Sequence, residues 1–209
     1  MKLAVFGASG PTGRQVVDQA LARGDAVTAF VRDPARLALS HPRLRLVSGD
    51  AMRDAAAVAE AVRSQEAVVC ALGRRATFKS GQLMARSIRI LLPAMEREGV
   101  RRLVLMSSFG VGESRRHAPL VPRLMYRVLL GDIFADKLVA EDAVRASPLE
   151  WTIAHPVMLT DGPLSGSYRA AERLALRGVP KISRADVAHF MLAETGERRF
   201  LRKTAVLSY

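Results

Sequence analysis

The sequence predicts a doubly wound α/β domain, a mostly parallel sheet with helices on both faces, on three observations. Short apolar runs alternate with longer amphipathic stretches along most of the 209 residues. A glycine-rich turn, Gly7-Ala8-Ser9-Gly10-Pro11-Thr12-Gly13, ends the first apolar run and opens the first amphipathic one. The series runs on without a repeat, a low-complexity tract or an interdomain linker. Repeated strand–helix–strand units require right-handed crossovers, which cover both faces of one parallel sheet.

Residues 2–6 form the kind of apolar run that makes a buried parallel strand. Residues 12–23 carry Val16, Val17, Ala20 and Leu21 at helical spacing, and Gly24 stands where such a helix closes. The second and third strands are expected at 26–31 and 44–47, followed by a helix over 53–63. A fourth strand over 66–72, a long helix over 81–98 ended by Gly99, and a fifth strand over 102–107 complete the regular half. Residues 110–122, rich in Gly, Ser, Arg and Pro, read as an exposed loop, and 123–146 as a helix with a break expected near Gly131. A sixth strand (151–154), a turn-rich loop (160–166), a helix to 194 opened by the capping-box-like Ser183-Arg184-Ala185-Asp186, and a last strand (200–207) follow. The whole of 1–209 is expected to be one nucleotide-binding domain, with an acceptor cleft built by about 110–122 and 160–183.

Apolar residues make up 49% and charged residues 25% of the chain, which places it among ordinary soluble proteins. The single cysteine, Cys70, excludes an internal disulfide and suits a reducing compartment; its apolar neighbours mark it as a buried strand residue. No apolar run approaches the ~18 residues of a membrane span, and the apolar start is too short for a secretory signal. The cytoplasm is the expected compartment, with no membrane partner. The net charge of +12 invites a nucleic-acid reading. Yet the arginines come as scattered pairs (Arg74-Arg75, Arg101-Arg102, Arg115-Arg116, Arg198-Arg199), without a basic run or interleaved aromatics. They read as a solvated face, a few of them meeting a phosphate-bearing ligand, and no nucleic acid is expected. His41, His117 and His189 lack metal-ligand spacing, and no metal is expected.

In a doubly wound sheet the ligand crevice lies beyond the carboxyl ends of the strands, so the residues just after each strand carry the site. After the first strand, Gly7 allows a tight turn, Gly10 a close backbone approach to a pyrophosphate, and Gly13 close packing of helix on strand. Ser9, Pro11 and Thr12 complete the turn, and Pro11 suits a first helical position that needs no N–H. After the second strand stand Arg32 and Arg36, two guanidinium groups able to grip a 2′-phosphate. The pair favours NADP(H). Asp33, between them, either serves an NAD ribose or caps the turn before Pro34. Asp50 and Ala51 follow the third strand, where Asp50 either accepts from an adenine amine or caps a helix. Ala71, Leu72 and Gly73 follow the fourth, Ser107 and Ser108 the fifth, and His155, Pro156 and Val157 the sixth.

With these residues the sequence resembles the atypical short-chain dehydrogenase superfamily over nearly its whole length. More closely it is similar to the small NAD(P)H-binding proteins of the NmrA-like and flavin-reductase (biliverdin reductase B) type. The resemblance rests on Phe6 to Gly13, Val31-Arg32-Asp33-Pro34-Ala35-Arg36-Leu37, Ser107-Ser108, Asp161-Gly162-Pro163-Leu164-Ser165-Gly166, and Ile182-Ser183-Arg184-Ala185-Asp186-Val187-Ala188. It implies a Rossmann fold, NADP(H) as cofactor, 2′-phosphate contacts from Arg32 and Arg36, and an arginine near the cofactor at Arg75. It also matches Ser108 to the active-site serine. The departures bear on chemistry. Carbonyl-reducing members use a Tyr-x-x-x-Lys pair, but Ile133 stands four residues before Lys137, and neither Tyr126 nor Tyr168 has the spacing. Lys137 either touches the nicotinamide ribose or is a surface lysine paired with Glu141. A histidine of flavin-reductase-like members falls on Val157, two residues beyond His155, which either reaches the cleft or packs beside Trp151.

Reducing a ketone builds an alkoxide that needs a positioned acid, whereas a flavin or quinone spreads the incoming charge and can take its proton from water. The expectation is therefore an NADPH-dependent oxidoreductase acting on a flat conjugated acceptor, with Ser108 and Lys137 as its catalytic candidates. The alternative is a non-catalytic NADP(H) sensor of the NmrA-like kind, docking a protein partner through the basic, proline-rich loop 115–123. A sugar-nucleotide epimerase needs the tyrosine and a larger C-terminal region, and fits poorly.

Overall fold

The computed structural model describes residues 1–73, 79–112, 131–176 and 178–209. Six parallel strands lead the fold: β1 (Lys2–Phe6), β2 (Ala26–Val31), β3 (Leu44–Ser48), β4 (Ala67–Cys70), β5 (Arg102–Met106) and β6 (Glu150–Pro156). Short strands β7 (Met158–Thr160), β8 (Arg169–Ala171) and β9 (Lys181–Ser183) precede β10 (Lys203–Ser208). The main sheet has eight strands in the order β3-β2-β1-β4-β5-β6-β10-β8. All neighbours in it are parallel except β8, which runs antiparallel to β10. β7 and β9 pair with each other in a separate parallel ribbon.

Alternation along each strand sorts the core into two layers. Leu3, Val5, Val27, Ala29, Val69 and Val104 point to one face, where they meet α1 (Pro11–Ala22) and α5 (Arg184–Glu197). Ala4, Phe6, Val68, Cys70, Leu103 and Ile153 point to the other, covered by α2 (Ala55–Val62), α3 (Leu83–Arg97) and α4 (Gly131–Ala146). Cys70 lies in this second layer, fully buried. The doubly wound prediction therefore holds, with strand ends within three residues of expectation. β7, β8 and β9 have three residues each, too few for a period-two pattern to register. The proposed break near Gly131 concerns a helix of which 123–130 lie outside the described residues, as do Arg74, Arg75, Arg115, Arg116, His117, Tyr126 and the loop 115–123.

One arginine leaves the solvated face assigned to these residues. Arg102 is 2% exposed, and its guanidinium donates to the Glu194 backbone carbonyl (3.0 and 2.6 Å) and to Thr152 Oγ1 (2.7 Å). Glu194 lies 3.3 Å away as its counter-charge and also accepts from the Phe200 N–H at 3.1 Å. The pair joins β5, β6 and α5 at the strand end opposite the crevice.

The capping box forms as expected. Ser183 Oγ accepts from the Asp186 N–H at 3.0 Å. Asp186 does more than complete the box. Its buried carboxylate accepts from the N–H groups of Ser165 (3.0 Å) and Gly166 (2.8 Å) and from the hydroxyls of Ser165 (2.8 Å), Ser183 (3.0 Å) and Tyr209 (2.7 Å). Burial opposes its ionisation, but the Tyr209, Ser165 and Gly166 hydrogen bonds outweigh burial and hold the carboxyl below its ordinary value. A group whose folded pKa is depressed stabilises the fold above its unfolded pKa and loses that contribution as pH falls through the folded one. Asp186→Asn is expected to cost about 2–3 kcal/mol at neutral pH and to flatten the loss of stability below about pH 4. Urea unfolding at pH 7 and pH 3 reads both. An equal cost at the two pH values would refute it.

Candidate active site

The carboxyl ends of β3, β2, β1, β4, β5 and β6 lie side by side, and the sheet order reverses between β1 and β4, the switch point at which doubly wound sheets bind ligands. Here the glycine turn is built by contact. Gly7 has φ +80°, and a Cβ on it would lie 2.6 Å from the Ala71 carbonyl oxygen. The turn thus rests on the backbone that leaves β4, itself tied to β1 by Ala71 N–H to Phe6 O at 2.9 Å. A Cβ at Gly13 would lie 2.0 Å from the Gly7 carbonyl oxygen, so α1 sits directly on the turn. Gly10 is the N-cap and donates to Gly7 O at 2.9 Å; Pro11 opens the helix, and no side chain caps it. The N–H groups of the first turn and the positive end of the helix dipole therefore face the crevice, a setting for an anion.

One strand over, Arg32 and Arg36 are exposed, and their guanidinium groups make no hydrogen bond or ion pair among the described residues. Asp33 is occupied. It caps the short 3-10 turn Pro34–Arg36 by accepting from the Ala35 N–H at 3.0 Å. Asp50 accepts from the Met52 N–H at 3.0 Å and from Arg53 at 2.7 Å. The Met52 and Arg53 hydrogen bonds hold its carboxyl below the ordinary value against a smaller burial effect, with the charges of Arg53 and Arg32 adding to them. The N-cap of α2 is Asp54 rather than Asp50. Ala51 is buried behind Asp50. Leu72 and Gly73 continue from Ala71 along the rim, and a Cβ on Gly73 would meet nothing within 4 Å. Arg75 lies outside the described residues.

At the other end of the crevice the structure brings together residues that the sequence left apart. Lys137, partly buried on α4, donates to Ser108 Oγ at the end of β5. It is not the surface partner of Glu141. Burial draws its ammonium down to about 8, with the negative charges of Glu141 and Asp136 opposing. Ser107 Oγ donates to Glu141 instead, and His155 Nε2 lies 2.8 Å from the same carboxylate oxygen. The ring of His155 is buried on the α4 side of the sheet, where it meets Glu141. Pro156 accepts from the Phe109 N–H at 3.0 Å, and Val157 is buried against the α5 side.

Sequence reasoning missed the acidic face of α4. Asp136 accepts from the N–H groups of Met84 (3.0 Å) and Ala85 (2.9 Å), and Asp132 from that of Ser80 (2.6 Å). Asp136 supplies the capping that α3 lacks, since its own N-cap residue, Gln82, offers no side-chain bond, and Asp132 holds the chain just before the helix at Ser80. The repeat Asp132-x-x-x-Asp136, next to Lys137, is the signal that points to it.

The spacing suits a dinucleotide. Three strand intervals of about 4.8 Å put about 14 Å between the end of β2, with its two arginines, and the end of β5, with Ser108. The glycine turn lies between them. Strand order, switch point and turn together define the Rossmann class of dinucleotide-binding proteins.

The chain belongs to the NAD(P)H-binding family, whose profile matches residues 7–197. An uncharacterized chloroplastic protein of Arabidopsis thaliana is 32% identical over 173 residues, 79% of this chain and 62% of its own length. This chain thus spans less than two thirds of that relative. Solved structures share the fold. ChuY, an anaerobilin reductase from Escherichia coli, is 23% identical with a TM-score of 0.81, over 99% of this chain and 96% of its own. A short-chain dehydrogenase/reductase of Veillonella parvula, in complex with NADP, is 19% identical with a TM-score of 0.80, over 100% of this chain and 94% of its own. Among the described residues no helix is long and apolar enough to cross a membrane, and no cluster of His, Cys, Asp or Glu is placed to hold a metal ion.

Proposed function

We propose that this chain is an NADPH-dependent oxidoreductase that passes hydride to a flat conjugated acceptor, a flavin, a quinone or a similar ring system. The observation that carries the reading is the Ser108–Lys137 pair at the end of β5, with Ile133 where carbonyl-reducing relatives place a tyrosine. A partly buried ammonium is costly to maintain, and one held on a serine at the mouth of a nucleotide crevice favours chemistry over mere sensing. The first-turn N–H groups of α1 hold the pyrophosphate, and Arg32 and Arg36 take the 2′-phosphate, with Asp33 engaged in its own turn. Bound NADPH supplies the hydride from its nicotinamide ring. Ser108 orients that ring or the acceptor, and Lys137 holds the adjoining ribose. With Ile133 in place of that tyrosine acid, the site suits acceptors that delocalise the incoming charge. The reductase named among its structural neighbours supports this class of reaction. A reducing cytoplasmic setting fits the buried thiol of Cys70.

The test is NADPH consumption with a panel of flavins and quinones, beside simple aldehydes and ketones, together with NADPH affinity. Turnover confined to the conjugated acceptors is expected. Tight NADPH binding with no turnover of any of them overturns the proposal and leaves the sensor reading.

A further inference from the structure

We infer that Glu141 is the positioning residue of this site: its buried carboxylate ties the ends of β5 and β6 to α4 and faces Lys137 with a fixed negative charge. The inference rests on the reading of Ser108 and Lys137 as the acceptor end of the crevice. Glu141 is 0% exposed, yet both its oxygens are engaged from three elements. One receives Ser107 Oγ from the end of β5 and meets His155 Nε2 from β6 at 2.8 Å. The other receives Arg145 from the next turn of α4 at 2.6 Å.

Isolating a carboxylate in a core is costly, and an apolar side chain of similar size would pack there without that cost. What the charge adds is placement. Ser107 and Ser108 lie just beyond β5, and both hydroxyls meet α4, the first at Glu141 and the second at Lys137 one helical turn before it, so pinning the first limits where the second can sit. The backbone is guided alongside, with Ser107 N–H to Ala154 O at 2.8 Å and Phe109 N–H to Pro156 O at 3.0 Å. Burial pushes the Glu141 carboxyl up, but the His155 hydrogen bond and charge, the Ser107 hydroxyl and the Arg145 charge outweigh it, so the group is ionised at neutral pH. Among the described residues, the groups around this pair are Asp136, Lys137 and Arg145 on α4, Ser107 and Ser108 from β5, and His155 from β6. From the far side, α3 presents N–H groups to Asp136. Of the charges that oppose the fall of the Lys137 ammonium, Glu141 is the larger and Asp136 the smaller.

The readout is the pH midpoint of Lys137 acylation, followed by peptide mass spectrometry in the full chain without acceptor. The wild-type midpoint is expected near 8. Glu141→Gln keeps the shape and removes the charge, and it should move the midpoint about one pH unit lower while NADPH affinity stays within twofold. A folded E141Q with the wild-type midpoint overturns the inference. Should E141Q fail to fold, Glu141→Asp keeps the charge but draws the carboxylate back from Ser107 and His155. It should retain the midpoint and lose about tenfold in kcat, with KM for NADPH unchanged; a wild-type kcat in E141D overturns the inference. If no conjugated acceptor is turned over even by wild type, the proposed function fails, and the E141Q midpoint still decides the role of Glu141.

Discussion

Gly13→Ala should lose NADPH binding by about 100-fold or more and lower the melting temperature. The new Cβ would stand 2.0 Å from the Gly7 oxygen, 2.6 Å from the Gly7 carbonyl carbon and 3.0 Å from Ala8 Cα. All three are backbone atoms of the turn, so no side chain can swing aside. α1 has to back away from β1, at a cost of about 1–3 kcal/mol for overpacking. The same movement carries the first-turn N–H groups away from the pyrophosphate, and each charge-assisted bond lost there costs about 1.5–3 kcal/mol of affinity. Two such bonds account for the 100-fold loss. Gly196→Ala is the matched control. It lies on α5 away from the crevice with nothing within 4 Å of its added carbon, and should bind NADPH as wild type does. Calorimetric titration and thermal melts of both variants decide the matter. Wild-type affinity in Gly13→Ala would mean that the turn does not hold the cofactor.

The double substitution Arg32→Ala/Arg36→Ala is expected to weaken NADPH binding by about 10²–10⁴-fold and to leave NADH binding within a few fold. Each guanidinium contributes about 1.5–3 kcal/mol to a bound 2′-phosphate, and NADH carries no such group. Both side chains are exposed and make no hydrogen bond or ion pair among the described residues, so the fold should change by no more than about 0.5 kcal/mol. The two effects are therefore separable. Raising the salt concentration should erode NADPH affinity in wild type more than in the double variant, because exposed charges are screened. An unchanged ratio of NADPH to NADH affinity would reject NADP(H) as the preferred cofactor.

Much of the fold was legible because four of the first five strands, β3 with its Arg45 apart, are compact apolar runs bounded by turn residues or by a helix with one apolar face. The glycine turn was legible for a stricter reason. Backbone meets backbone at Gly7 and Gly13, and any other residue there collides, so the composition of seven consecutive positions carries the geometry. The arginines after β2 were legible too, since a strand end in a parallel sheet points at the crevice. The acceptor end was not. Lys137 reads equally well as a surface lysine on a charged helix, because its i+4 partner in sequence, Glu141, is the obvious mate. Only the packing of α4 on β5 and β6 turns Glu141 inward to Ser107 and His155 and sends Lys137 to Ser108. Arg102 shows the same limit, since an Arg-Arg pair at a strand start looks solvated until α5 folds Glu194 over it.

The sequence by itself determined what depends on neighbours along the chain: the doubly wound order of elements, the glycine turn, the capping of α5 and the two cations beside β2. The tertiary structure alone decided what depends on which side chains meet across 29 to 92 residues. Lys137 reaches Ser108 across the first of these separations, and Arg102 reaches Glu194 across the second. The physical reason is that local conformation follows from propensity and sterics within a few residues, whereas the partner of a buried charge is chosen by the packing of whole elements.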